Sequence, residues 1–284
     1  MSRLAEANRI RRLLWLNHDS YSAPLLAGSS PPWLESAACA AWMRQAQGLL
    51  GSDVLTVPLA DIVAAWLVRN PALKAEMAGK TRRAHLPLKA CLASAPLREH
   101  TAALATALRA ALPDTIFTLK IPTPRDWAGQ TLALAGGPPD VEVDEDAADA
   151  AAASIADFLR VFATTGVDAV VLDELRAWDE DDAAHWLELY QPVTNVARHY
   201  GWDWGLRLPA AVKFGQGPGP DFTVAPSTCC HGPVGLLVPE AFWSDDDLPA
   251  PQPNTFDVAD IPATARPETV LARLAVLRER RLTW

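Results

Sequence analysis

Eight short runs of aliphatic and β-branched residues, spaced along the whole chain, constrain this sequence most. They are Arg12–Asn17, Asp53–Val57, Thr115–Ile121, Asp168–Asp173, Trp202–Leu208, Phe222–Ala225, Val234–Val238 and Phe256–Ile261. Their length and composition read as strands. Helical patterns lie between most of them: Trp33–Leu50, Ala60–Asn70, Leu73–Ala84, Leu97–Leu112, Glu145–Thr165, Asp179–His199 and Pro267–Arg281. Strands alternating with helices predict a parallel sheet. Eight of them within 284 residues predict a closed (β/α)8 barrel, one TIM-barrel domain over residues 1–284. The pattern is uneven: residues 209–253 hold many Pro and Gly and almost no helical periodicity. The outer helices there are expected to be reduced or missing.

Composition narrows the classes. Half of the residues are hydrophobic and 21% charged, which is globular. The net charge of −9 predicts no nucleic-acid partner. No apolar run reaches the roughly 18–20 residues of a membrane span. The N-terminal MSRLAEANRIRRLLWLNHDS has too short an apolar stretch for a signal peptide, so a cytoplasmic location is expected. Four cysteines make no disulfide scaffold. Eleven tryptophans against three tyrosines suit a large core or an aromatic-lined pocket.

Strand alternation places charge inside the barrel. In Thr115–Ile121, Phe117, Leu119 and Ile121 share one face, and Ile116, Thr118 and Lys120 the other. The apolar face should meet the helices, so Lys120 points inward near the strand's C-terminal end. By the same alternation Trp202 and Trp204 face out and Arg207 faces in. His18 and Asp19, Asp173 and Glu174, Glu240 and Asp260 stand at or just past the ends of other strands. Active sites of such barrels are built at that end. A structural ion-pair ring is the competing reading of the same charges.

Five segments together resemble the barrel superfamily of uroporphyrinogen decarboxylase and cobalamin-independent methionine synthase. They are RLLWLNHDSYSAPLL, DVLTVPLADI (with Asp61 after the strand), FTLKIPTPRDWAG, FATTGVDAVVLDELRAW and FDVADIPATARPETVLARL. The resemblance implies the fold and a site at the barrel mouth. The chain departs from the pattern where the chemistry sits. The decarboxylases carry arginines after the first strand, where His18 and Asp19 stand here. They use a tyrosine after the third, where Arg125 and Trp127 stand. The zinc-binding methyltransferases use a His-x-Cys pair that this sequence lacks.

The expected function is a cofactor-independent, decarboxylase-like lyase acting on a small carboxylic acid, with the tryptophan count pointing to an aromatic one. His18, Lys120, Asp173 and Arg207 are the candidate catalytic residues. Asp19, Asp61, Arg125, Trp127, Glu174 and Glu240 are the candidate substrate-binding residues, with Arg125 or Arg207 able to grip a carboxylate. A zinc-dependent methyltransferase is the first alternative, with a rearranged set such as His18, Glu174, Cys230 and His231. Adjacent Cys229 and Cys230 point different ways, however, and zinc pairs normally need spacers. No metal is favoured on that ground. The second alternative is a non-catalytic barrel subunit whose flank at residues 209–253 meets a partner protein or a second copy.

Overall fold

A computed structural model describes residues 3–139, 141–214, 219–228, 232–244 and 247–281. The eight strands are β1 (Leu14–Asn17), β2 (Val54–Pro58), β3 (Ile116–Pro122), β4 (Ala169–Asp173), β5 (Asp203–Arg207), β6 (Phe222–Ala225), β7 (Val234–Leu237) and β8 (Thr255–Asp260). Each lies within two residues of its sequence expectation. All pair in parallel, in the order β1-β8-β7-β6-β5-β4-β3-β2. The barrel is nearly closed. Its seam between β1 and β2 is joined largely by side chains. Asp53 Oδ2 accepts from the Leu14 N–H (2.8 Å), and Ser52 Oγ accepts from the Leu16 N–H (3.0 Å).

Helices wrap one side heavily. α1 (Arg3–Ile10) precedes β1; α2 (Asp19–Leu26) and α3 (Ser36–Leu50) follow it. Four helices join β2 to β3: α4 (Leu59–Arg69), α5 (Pro71–Ala78), α6 (His85–Leu92) and α7 (Ala95–Ala111). Then come α8 (Pro124–Leu134) and α9 (Glu145–Leu159) after β3, α10 (Glu180–Leu189) and α11 (Gln191–Tyr200) after β4, and α12 (Pro267–Glu279) after β8. Among the described residues no α-helix lies between β5 and β8; one short 3-10 turn at Glu240–Trp243 stands there. The thinning falls where proline and glycine density placed it.

Local chemistry explains the boundaries. Gly51 and Gly201 end α3 and α11 in the left-handed conformation, at φ 67° and 71°. Asp144 accepts from the Ala147 N–H (2.8 Å), and Asp179 with Asp182 forms a capping box on α10. Three expectations need correction. Residues 179–199 form two helices, because Pro192 restarts the chain as the second residue of α11. Residues 85–92, between two of the expected helical patterns, form α6, with Pro87 in its first turn, where its missing N–H had no partner to lose. α1 lies outside every helical pattern named above; it closes the bottom of the barrel and places Leu4 in its interior cluster.

The interior has two zones. Below, Trp15, Phe222 and Phe256 pack with centroids 6.1–6.5 Å apart. Gly205 and Gly235 make room for these rings: a Cβ on Gly205 would stand 2.2 Å from Phe222, and one on Gly235 2.7 Å from Phe256. Above the rings the interior turns polar. Phe117, Leu119, Ile121, Trp202, Trp204 and Leu206 instead join the outer cluster against the helices, whereas Ile116 belongs to the interior cluster, as alternation predicted.

The N-terminal end is bound by aspartates and arginines. Asp168 accepts from the Phe117 N–H (2.8 Å) and pairs with Arg3 (2.7 Å) and Arg109. Asp53 pairs with Arg11 and Arg281, both at 2.5 Å. Asp257 holds the fully buried Arg12 by two bonds of 2.8 and 2.9 Å. A structural ion-pair ring therefore exists at the end opposite the mouth.

Candidate active site at the barrel mouth

The C-terminal ends of the strands surround a depression of about 470 Å³. Its polar wall is made by Asn17, Asp19, Asp61, Lys120, Asp173, Arg207 and Asp260. Leu175, Pro209 and Leu237 form an apolar lip. The size suits a small molecule. No tryptophan lines it; the tryptophan excess lies largely in the core, with Trp33, Trp42, Trp127, Trp178, Trp202, Trp204 and Trp243 buried.

A continuous chain of polar contacts crosses the mouth. Trp15 Nε1 donates to Thr56 Oγ1 (2.7 Å), whose hydroxyl donates to Asn17 Oδ1 (3.1 Å). Asn17 Nδ2 donates to Asp260 Oδ1 (2.7 Å). Arg207 meets Asp260 through Nη2 (2.5 Å) and Nη1 (3.3 Å), and its Nε lies 3.7 Å from Asp173. Lys120 Nζ stands 3.2 Å from the other oxygen of Asp173. Six strands thus share one network. Each member is placed by strand alternation, which turns Asn17, Lys120, Asp173 and Arg207 to the barrel axis.

Two carboxyls stand outside that chain. Asp19 opens α2 and Asp61 lies in the first turn of α4. Neither has a side-chain hydrogen bond or ion pair among the described residues. Burial, helped by the nearby Asp61 charge, pushes Asp19 up to about 7, with Lys120 pulling the other way. Burial also raises Asp61, again opposed by Lys120. Desolvation would raise Asp260 too, but its bonds to Arg207 win and hold it below the usual carboxylate range. The mouth therefore keeps a carboxyl that exchanges its proton near neutrality beside an ammonium group.

The remaining candidates lie elsewhere. His18 is buried: its Nδ1 lies 2.9 Å from Ser22 Oγ, and its ring edge meets Trp42 at 6.2 Å. Burial lowers its pKa to about 4, and it does not line the depression. It follows Asn17, and Asn17 takes the inward position. Arg125 does not face the mouth either. Its Nη2 donates to Glu174 Oε1 (2.8 Å), and its guanidinium stacks 4.1 Å above Trp186. Glu174 borders the depression, but its carboxylate is wholly buried on Arg125 and also accepts from the Arg176 N–H (2.8 Å). This pair, with Asp126 accepting from Thr123 Oγ1 and the Leu175 N–H, pins the loop after β4. Trp127 is core, edge-on to Phe158. Glu240 is exposed at the start of the 3-10 turn, away from the depression. Cys230 and His231 fall outside the described residues.

Asn17 is the member that sequence reasoning missed. Leu13, Leu14, Trp15 and Leu16 are all apolar, so nothing in the run fixes which face is inward. The structure fixes it through Trp15, which joins the interior cluster, so that Asn17 follows it inward. Among the described residues no three His, Cys, Asp or Glu side chains stand together as metal ligands would. Compared with known proteins, the chain matches no family model and no curated protein.

Proposed function

We propose that this barrel is an enzyme of acid–base chemistry, a lyase acting on a small molecule held at the C-terminal mouth. The observation that carries this reading is the meeting of Asp19, Asp61, Lys120 and Asp173 around one open depression. In the ionised form Asp19 takes a proton from the substrate. The electron pair left behind forms a double bond as the bond to the neighbouring substituent breaks; the leaving group departs with that bond's electron pair, and the Lys120 ammonium stabilises the negative charge that develops. Asp173 holds Lys120 in position, and Arg207 lies against the other oxygen of Asp173. His18 has no part in this scheme, because its imidazole is buried against Ser22 and Trp42.

Screening a panel of small polar compounds for turnover, with Lys120→Ala and Asp19→Asn alongside the parent chain, tests the reading. Loss of about a hundredfold or more in either variant is expected. Turnover that survives both substitutions assigns the chemistry elsewhere.

The bare flank supports a second reading, a barrel subunit of a larger assembly. Among the described residues β6 and β7 carry no outer α-helix. The mass of the purified protein in solution separates a lone chain from a dimer.

A further inference from the structure

The mouth has more carboxyls than cations, and its cations are already engaged. Four aspartates face it, Asp19, Asp61, Asp173 and Asp260, against Lys120 and Arg207. Arg207 spends both terminal nitrogens on Asp260 and turns its Nε to Asp173. A carboxylate ligand would have to displace Asp260, which Asn17 also holds. Lys120 lies against Asp173. The open valences belong to Asp19 and Asp61, at the β1 and β2 end of the mouth.

The opposite arc carries apolar residues beyond Asp173 and Arg207. In the strand order β5 and β6 stand across the barrel from β1 and β2. Pro209 and Leu237, with Leu175 at 63% exposure, face the depression from β4, β5 and β7. An unpartnered polar group lies deeper in the barrel, outside the lining of the depression. Thr118 is inward-facing one pleat below Lys120, fully buried, and its hydroxyl has no hydrogen-bond partner. The depression thus joins free acceptors on one side to an apolar surface on the other.

We propose that the site takes an organic cation, a protonated amine on an apolar body, in preference to a carboxylic acid. The ammonium sits between Asp19 and Asp61, and the apolar body lies on Leu175, Pro209 and Leu237. This rests on the reading of the mouth as a ligand site and names the class of its substrate. It also reverses the expectation of a carboxylic acid, which needed a free guanidinium at Arg207 or Arg125; Arg125 is engaged by Glu174.

A matched pair of probes tests it: 2-phenylethylamine and 3-phenylpropionate, titrated calorimetrically into the full chain at pH 8, where Asp19 is largely ionised. The amine is expected to bind and the acid to give no measurable heat. Asp61→Asn should weaken the amine about tenfold. Asp61→Lys should abolish amine binding and admit the acid; the Asp61 side chain, in the first turn of α4, has no hydrogen bond or ion pair among the described residues to lose, so both variants should fold. Equal or tighter binding of the acid, binding of neither probe, or amine binding indifferent to Asp61 overturns the proposal. The readout does not depend on turnover. Amine binding that persists while Lys120→Ala and Asp19→Asn leave turnover unchanged would remove the catalytic reading and keep this one.

Discussion

Arg207 and Asp260 face each other across the mouth as a two-pronged ion pair, Nη2 to Oδ2 at 2.5 Å and Nη1 to Oδ1 at 3.3 Å. The pair joins β5 to β8 over β6 and β7, which carry no outer α-helix among the described residues. It closes the mouth on its thin side, and it withdraws the arginine from ligand binding. Arg207→Ala should therefore damage the protein chiefly through structure. It leaves Asp260 without its cation and Asp173 with Lys120 alone, at a cost of about 1–3 kcal/mol in urea denaturation. Amine binding should survive it. A variant of unchanged stability that has lost only ligand binding would contradict this assignment.

The buried Arg12–Asp257 pair predicts a larger effect. Arg12 is fully buried and makes two bonds to Asp257, with further bonds to Thr255. Removing Arg12 leaves the buried Asp257 with only the longer contacts to Arg280 (3.3 and 3.4 Å), so Arg12→Met should still cost about 3 kcal/mol. The exposed Lys80–Glu76 pair is the internal control, since Glu76→Gln should change stability by less than about 1 kcal/mol. Equal effects at the two sites would refute the distinction.

Most of the fold was legible because period-2 and period-3.6 patterns report burial directly. All eight strands were found, and the inward faces of β3 and β5 followed from alternation, with Lys120 and Arg207 on them. Polar residues set the phase there. β1 carried no such marker, and the choice of His18 over Asn17 came from that gap. The Arg125–Glu174 pair was illegible for another reason. The two residues lie 49 apart in sequence, and only the docking of α8 beside the loop after β4 turns them toward each other. The aspartates just before β2 and β4 were read as strand residues, because their arginine partners come from distant parts of the chain.

Gly205 and Phe222 form a size-matched pair inside the barrel. A Cβ at Gly205 would lie 2.2 Å from the ring, and Phe222 is fully buried and cannot withdraw. Gly205→Ala should cost about 1–3 kcal/mol or more, with part of the loss recovered when Phe222→Leu is added. Gly48→Ala is the contrasting case. Gly48 lies within α3 with nothing within 4 Å of its added Cβ, and the substitution should stabilise by about 0.4–1 kcal/mol. Thermal denaturation of the four proteins decides both.

His18 makes stability fall with acidification. Burial lowers its pKa from 6.5 to about 4. Between those values the unfolded chain binds a proton that the folded chain does not, so folding weakens as pH drops through that window. The full step is about 3 kcal/mol. His18→Gln removes it while keeping a polar partner for Ser22. Urea midpoints at pH 7 and pH 5 should separate for the parent chain more than for the variant. An equal separation would place the acid sensitivity elsewhere.

Asp19 works in the opposite sense. Its folded pKa stands at about 7 against 3.8 for the free side chain, because burial and Asp61 disfavour its charge. The folded chain holds this proton after the unfolded chain has released it. Its stabilising contribution is therefore complete below about pH 4 and is lost as pH rises toward 7. The full shift would exceed 4 kcal/mol, but Asp19 is partly open to solvent, and screening reduces the step to on the order of 2 kcal/mol. Asp19→Asn cannot ionise. It should match the parent chain near pH 4 and be more stable by on the order of 2 kcal/mol at pH 8. Such a gain from removing a carboxyl is what a site held under electrostatic strain for its chemistry would give. If Asp19→Asn is less stable than the parent chain at pH 8, Asp19 is a structural acid, and the proton-transfer role falls with it.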